Sequence, residues 1–346
     1  MVKPTVIDLF AGAGGLSLGF ELAGFDVIWS NDNNKYAAAT YDKNFGPGTM
    51  HFGNIEEVKE FPKADLVIGG YPCQGFSLGG NRLVTDPRNK LYLEFARCIK
   101  QVQPKFFVAE NVQGMLTLGN GKIIEAMVRE FSSINGGYRV KYTHSPLKAM
   151  DYGVPQERQR IFIVGTRNDL DFDFNFPIRT HGKAGETVFA DGKARKLKPY
   201  VALKKAIGGM PAPRKGEVYE SGYSSIYMSR NRKRSWDQVS FTIQAGARQA
   251  PQYPGGLPMK KVKWADTHPI EDRKFKDSKE KYHWLFQGNN NRRLSYKECA
   301  VIQSFPKSFK FEGPIIEKYK QIGNAVPPML AKAVADEIME YFKNQG

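Results

Sequence analysis

Strand-like and helix-like stretches alternate through the first half of this 346-residue chain, and no other feature limits its possible folds so strongly. Short β-rich runs are expected at residues 5–10, 26–31, 66–70, 106–110, 139–144 and 160–165. Helical patterns are expected at 16–23, 35–44, 91–102 and 122–131. Parallel strands need a crossover between them, usually a helix, so this alternation predicts an α/β fold with a doubly wound sheet covered on both faces. The alternation stops near Arg179, where Gly, Pro, Lys and Arg begin to dominate. It resumes at Ser295, which with Glu298 forms a capping box before a helix at 296–303. Leu330, Val334, Ile338 and Phe342, four residues apart, give a last helix an apolar stripe for docking on the sheet. Three parts are expected: a first domain over 1–178, a smaller irregular domain over 179–291, and a segment 292–346 that returns to the first.

Charge separates these parts. Residues 1–178 carry 19 basic and 19 acidic side chains, residues 179–291 carry 23 against 10, and residues 292–346 carry 9 against 6. Excess positive charge held in one domain favours a polyanion, through phosphate neutralisation and counterion release, although a basic surface also serves solubility. The basic residues do not follow an amphipathic helix, and no apolar run approaches the roughly 18 residues of a membrane span, so no membrane partner is expected. Cys73, Cys98 and Cys299 are odd in number and far apart. They suit neither a disulfide framework nor a metal site, so no metal and a reducing cytoplasm are expected.

On doubly wound sheets functional groups collect at the carboxyl ends of strands. After the first strand comes Asp8-Leu-Phe10-Ala11-Gly12-Ala-Gly14-Gly15-Leu16, a glycine loop opening a helix, where backbone can approach a ligand closely. A nicotinamide fingerprint would require Gly where Ser17 stands. Asp32, between Asn31 and Asn33 after the second strand, suits the hydroxyls of a ribose; the glycines also suit a purely structural turn. Cys73 lies past the next strand in Gly70-Tyr-Pro72-Cys73-Gln74, on a loop rather than inside an element, the setting of a reactive thiol. Glu110 and Asn111 end the following strand. Arg158 and Arg160, two apart, would face the same way in a strand and favour a thiolate nearby, though each charge alone also reads as a surface ion pair.

With these residues in place the chain resembles the bacterial DNA cytosine-5 methyltransferases. The resemblance rests on the glycine loop, Gly70-Tyr-Pro-Cys-Gln, Glu110-Asn-Val, Gln156-Glu-Arg-Gln-Arg160, the stretch from Arg293 to Pro306, and Gln321-Ile-Gly-Asn-Ala-Val-Pro-Pro328, all in the family's order. It implies a mixed sheet of the S-adenosylmethionine-dependent methyltransferase type, a catalytic and cofactor-binding domain over 1–178 and a target-recognition domain over 179–291. The implied reaction moves a methyl group from S-adenosylmethionine to C5 of a cytosine flipped out of double-stranded DNA. Cys73 would be the nucleophile, Glu110 the donor at N3, and Arg158 and Arg160 the holders of the base carbonyl and the adjacent phosphate. Phe10 would stack on the adenine, Asp32 would bind the ribose, and Asp8, Ala11, Gly12, Gly14, Gly15, Leu16, Asn31, Asn33 and Pro72 would complete the cofactor site. Ile55 and Leu91 would line it, and Asn324, Ala325 and Val326 would close it.

The family usually has Asp at Asn54, which by this resemblance would face the adenine amine, so Asn54→Asp is expected to tighten the cofactor. Tyr71 replaces a proline common there. Gln74 and Ser77 would touch DNA. The stretches from Ser224 to Trp236 and from Phe241 to Gln249 resemble recognition segments of GGCC methylases. They assign Arg230, Arg232 and Arg248 to guanines, Ile226 to the space left by the extruded base, and Arg293 to DNA as well. Lys233 and Arg234 would contact phosphate, and Lys260, Lys261 and Lys263 backbone or plain surface. Three other readings remain: a tRNA methylase of the same family, a silent DNA-binding protein, and a nicotinamide oxidoreductase. The arginine-rich insert, the intact Cys73, Glu110, Arg158 and Arg160, and Ser17 argue against them in turn. A monomer in the bacterial cytoplasm is expected, held at the nucleoid by DNA, with a companion restriction endonuclease in no stable complex.

Overall fold

The computed structural model describes residues 2–71, 90–190, 192–263, 282–289 and 291–345. The main sheet is built from β1 (Thr5–Leu9), β2 (Asp26–Asp32), β3 (Met50–Phe52), β4 (Leu66–Gly69), β5 (Phe106–Val112), β6 (Tyr138–Tyr142), β7 (Leu147–Lys148) and β8 (Gln159–Arg167). Its order is β3-β2-β1-β4-β5-β8-β6, with β7 also paired to β8. The first five strands in this order run parallel, and β8 lies antiparallel to both β5 and β6. The expected doubly wound mixed sheet is therefore present. From β1 the chain winds outward to β2 and β3, then returns to β4 and β5 on the other side. This reversal opens a crevice at the carboxyl ends of β1 and β4.

Side-chain alternation along the strands supplies two cores. Val6, Ile68, Val108 and Val164 pack on one face with Phe20 of α1 (Gly15–Leu22) and Leu330, Val334 and Ile338 of α9 (Pro328–Lys343). Ile7, Val67, Phe107 and Ile163 point to the other face. They meet Phe95 and Ile99 of α3 (Lys90–Val102) and Ile124, Met127 and Phe131 of α4 (Lys122–Ser133). The helix starts are set locally. Gly14, at φ +81°, begins α1 in a left-handed conformation that glycine adopts without a Cβ clash. The Asn34 side chain caps α2 (Lys35–Phe45) by accepting from the Tyr36 and Ala37 amides.

α1 and α9 meet closely because Gly19 has no side chain. A Cβ there would lie 2.3 Å from the Ala331 Cβ and 2.6 Å from the Pro328 carbonyl oxygen. Gly19→Ala is therefore expected to destabilise the fold by about 1–3 kcal/mol through overpacking. Urea unfolding measures this, and an unchanged midpoint would show that the two helices separate freely.

The remaining elements lie beyond the sheet. They include α5 (Leu203–Ile207), α6 (Ser225–Met228), α7 (Tyr296–Ile302), α8 (Ile315–Asn324) and three two-stranded pairs. α7 carries the expected capping box, with Ser295 and Glu298 bonded reciprocally. A third core joins Leu203 and Ile207 of α5, Ile243 and Ala247, Cys299 and Ile302 of α7, and Tyr319 and Ile322 of α8. Within segment 292–346, α7 and α8 thus pack with the basic region while α9 docks on the sheet. Ala13 of the glycine loop joins this third core, tying the loop to it. No helix among the described residues is long and apolar enough to cross a membrane.

Candidate active site

The crevice deepens into a cavity of about 620 Å³. The β1–α1 turn supplies Asp8, Phe10, Ala11, Gly12, Gly15 and Leu16 to its wall, and the end of β2 supplies Asn31, Asp32 and Asn33. Ile55, Leu91, Gly70 and Tyr71 form another side; Glu110, Asn111 and Arg160 form the next; Asn324, Ala325 and Val326 close it from the C-terminal segment. Phe10, at φ +59°, holds a conformation that non-glycine residues rarely adopt, and it does so at the cavity lip. Gly15 allows the C-terminal closure, because a Cβ there would lie 2.4 Å from the Val326 carbonyl oxygen.

Hydrogen bonds preorganise the β2 side. The Asp32 carboxylate accepts from the Gly12 amide at 2.9 Å and the Asn34 amide at 2.8 Å, joining loop to strand. Asn31 donates its amide to the His51 and Gly53 carbonyls, fixing the chain that leads to Asn54 and Ile55. Asp8 is buried beneath the glycine loop. Its Oδ2 accepts from the Ser17 hydroxyl, whose oxygen accepts in turn from Tyr41. Oδ1 has no hydrogen-bond partner among the described residues. Burial pushes the Asp8 carboxyl up to about 7, opposed by the Ser17 bond and reinforced by Asp32.

A carboxyl raised on folding stabilises the native state below its unfolded pKa, and this contribution is lost as pH rises through the folded value. The protein should therefore lose roughly 3–4 kcal/mol at most between about pH 4 and pH 7, and Asp8→Asn should flatten that slope. Urea midpoints across this range test it. Parallel slopes in both proteins would assign the titration to another group.

Opposite this wall, Glu110 is only 8% exposed, and its Oε1 lies 2.6 Å from Arg160 Nε. Burial raises its pKa, while Arg160 and Arg158 pull it down. Arg160 lines the cavity; Arg158 does not. At 1% exposure, Arg158 donates to the Ile243 carbonyl at 3.1 Å and the Asn324 carbonyl at 3.4 Å. The two arginines expected to act alike thus diverge, because Arg158 precedes β8 and turns toward the basic region. The geometry gives no support to a phosphate contact by Arg158. Gln156, which sequence reasoning passed over, strengthens this junction: it accepts from the Ile243 amide and donates to the Ile302 carbonyl and to Gln303. Pro72, Cys73, Gln74 and Ser77 lie outside the described residues; Asn111 ties the approach to them by donating to the Tyr71 carbonyl at 3.1 Å.

A glycine loop, an acidic residue after β2, and a buried carboxyl paired with arginine share one crevice. A profile of the C-5 cytosine-specific DNA methylases matches residues 4–340. The chain belongs to this family. Type II methyltransferase M.BspRI of Lysinibacillus sphaericus is 44% identical over 98% of this chain and 82% of that protein. M.BsuRI of Bacillus subtilis is also 44% identical, over 99% and 80%. Among solved structures, the Entamoeba histolytica methyltransferase EhMeth superposes with a TM-score of 0.64 at 16% identity over all of both chains, a likeness of fold. The methylase is accordingly a DNA (cytosine-5-)-methyltransferase.

Within the basic region of the methylase, the expected DNA-facing residues separate by exposure. Ile226, on α6, is 71% exposed, and Arg230 is exposed. Arg248 is exposed, with its Nε donating to the Tyr219 hydroxyl at 3.3 Å. Arg232 is half-buried; it donates to the Tyr227 carbonyl and to Gln249 Oε1 and lies over the Tyr227 ring. Arg293 departs from its expected role. It is 3% exposed, donates to the carbonyls of Tyr219, Ser221, Gly222 and Arg248, and packs against the Tyr223 ring. A guanidinium with that many backbone partners holds loops together and has little left for DNA. Lys233, expected on phosphate, is buried and donates to Asn291, while Arg234 pairs with Glu157 and stacks on Phe241. Lys260, Lys261 and Lys263 lie on a strand, Lys260–Lys263, paired antiparallel with Tyr282–Leu285, with Lys261 over the Tyr282 ring. Asn54 is exposed and is not among the residues lining the cavity. Among the described residues no group of His, Cys, Asp and Glu is arranged to hold a metal.

Proposed function

We propose that the methylase transfers the methyl group of S-adenosylmethionine to C5 of a cytosine flipped out of a short duplex site, GGCC, within a restriction-modification pair. The observation that carries this reading is the placement of the buried Glu110–Arg160 pair across one cavity from the glycine loop and Asp32. The residues present fit the donor. Asp8 Oδ1, buried and unpartnered, and Asp32 put carboxyl oxygens on the wall beneath the loop, and a cationic ligand there would favour their ionised form. Ile55, Leu91 and the Phe10 ring offer apolar surface to an adenine. When bound, S-adenosylmethionine supplies a methyl group activated by its sulfonium.

The protein residues have distinct tasks. Cytosine C5 is a weak nucleophile, and addition of the Cys73 thiolate at C6 makes it electron-rich. Glu110, its pKa raised by burial, gives a proton to N3 as that charge develops. Arg160 holds the base carbonyl and orients Glu110. After transfer a base takes the C5 proton, the N3 proton returns to Glu110 and Cys73 is expelled as thiolate, restoring the ring. Arg230, Arg232 and Arg248 read guanines, and Ile226 fills the gap left by the extruded base. The likeness to Type II methyltransferases supports the restriction-modification assignment. Bisulfite sequencing of DNA from cells expressing the methylase tests activity, base and context together. Protection confined to GGCC is expected. Protection centred on another sequence would overturn the site alone, and none at all would overturn the reaction.

A further inference from the structure

A two-stranded ribbon stands apart from the main sheet where the basic region begins. Its root is β9 (His181–Gly182), paired parallel with β12 (Lys198–Pro199), and between them β10 (Thr187–Ala190) runs antiparallel to β11 (Lys193–Lys196). The root is tightly built. Leu197 is buried, and a Cβ on Gly182 would lie 2.6 Å from its Cδ1. The Tyr200 hydroxyl donates to Asp151 at 3.0 Å, and the His181 ring occupies the space that a Cβ on Gly153 would need. Asp151 and Gly153 belong to the turn that follows β7, whose Leu147 pairs with the cavity-lining Arg160.

Above this root the ribbon is uncovered. Antiparallel partners share a face, which places Thr187, Phe189, Ala194 and Lys196 on one side, and all four are exposed. Phe189, at 78% exposure, is the most exposed aromatic side chain among the described residues. Residues 183–198 carry Lys183, Lys193, Arg195, Lys196 and Lys198 against Glu186 and Asp191, and Glu186 is already paired with Arg179 at 2.7 Å. A ribbon kept only for solubility would have no use for a bare phenyl ring. A second copy of the chain would bring the same cations against these, and like charges repel.

We infer that this ribbon is a further DNA-contacting element, separate from the recognition segments, that grips the duplex beside the methylated site. This rests on duplex DNA being the substrate, as proposed above. Each strand of the ribbon spans about 13 Å, the rise of roughly four base pairs, and two strands are the width that a major groove admits. Lys193, Lys196 and Lys198 meet phosphates, and Phe189 supplies the apolar contact that thymine methyls offer on the groove floor. Phosphate contacts carry no sequence information, so the lysines add affinity and register while the recognition segments choose the site.

Hydroxyl-radical footprinting on a long duplex centred on the methylated sequence, read beside a salt titration of binding, tests the inference. Wild type should protect a stretch of backbone on one flank as well as the site. The triple variant Lys193→Ala, Lys196→Ala, Lys198→Ala should lose the flank and keep the site. Its affinity should fall roughly tenfold, and its slope of log affinity against log salt by about 2–3, close to one for each lost phosphate contact. Phe189→Ser should weaken binding and leave the slope alone. Turnover at saturating DNA should stay at the wild-type level in both variants, because the ribbon lies outside the cavity wall. Every substituted side chain is exposed, and protection retained over the site shows that the fold is kept. A flank still protected in the triple variant, protection lost equally over site and flank, or a dimer dissolved by Phe189→Ser would overturn the role of the ribbon and leave the methyltransferase reading intact. Absence of any footprint from wild type would overturn the DNA substrate as well.

Discussion

Cys73→Ser is expected to abolish methyl transfer while leaving affinity for the duplex site nearly unchanged. A serine hydroxyl keeps the shape of the thiol but is not ionised near neutral pH, so C6 receives no nucleophile and C5 stays unreactive. Turnover should fall below about a tenth of wild type, the least that loss of covalent catalysis permits. A gel-shift measurement on the same duplex separates chemistry from binding. DNA with 5-fluorocytosine at the target sharpens the test, because the fluorine blocks the final elimination. Wild type should then form an adduct that survives denaturation, and the serine variant none. A serine variant with wild-type turnover, or an active wild type that forms no adduct, would remove attack at C6 from the mechanism.

Glu110→Gln is expected to lower kcat by about 10²–10⁴, the usual worth of a positioned acid. The amide retains an oxygen for Arg160, 2.6 Å from the carboxyl in wild type, so structural loss should be small. The pH profile gives a second readout. Burial raises the Glu110 pKa against the pull of Arg160 and Arg158, and the working form is the protonated one. Wild-type activity should therefore decline as pH rises through that folded pKa, and the glutamine variant should lack this decline. If the limb persisted in the variant, another group would own it; if kcat were unchanged, N3 would be protonated without Glu110.

The parts of the site legible in sequence were those whose chemistry is local. The glycine loop at Asp8–Leu16, Asp32 after β2, and Glu110 at the end of β5 are each set by their position on a strand or turn. The crossover rule then brings all three to one edge. The arginines were harder. Spacing alone puts Arg158 and Arg160 on the same side, yet one pairs with Glu110 and the other is buried against Ile243 and Asn324. Arg293 and Lys233 carry the composition of DNA contacts and are buried within the basic region. Charge on a side chain does not tell whether the protein or the solvent will satisfy it. Asn54 shows the same limit in a neutral residue, because its amide bonds to Asn33 and Glu57 and does not line the cavity.

By itself the sequence determined the doubly wound sheet, the glycine loop that opens α1, the capping box of α7, and the apolar stripe by which α9 docks. These follow from propensities and periodicities that act within a few residues or along one element. Only the tertiary structure decided that α7 and α8 share a core with α5 and Ile243, that Gly19 exists to admit Ala331, and that Gly15 admits the Val326 carbonyl. It alone decided which polar groups are buried, since burial depends on what segments far apart in the chain bring to the same place. The charge state of Asp8 and the direction in which Arg158 and Asn54 point follow from that burial and those partners.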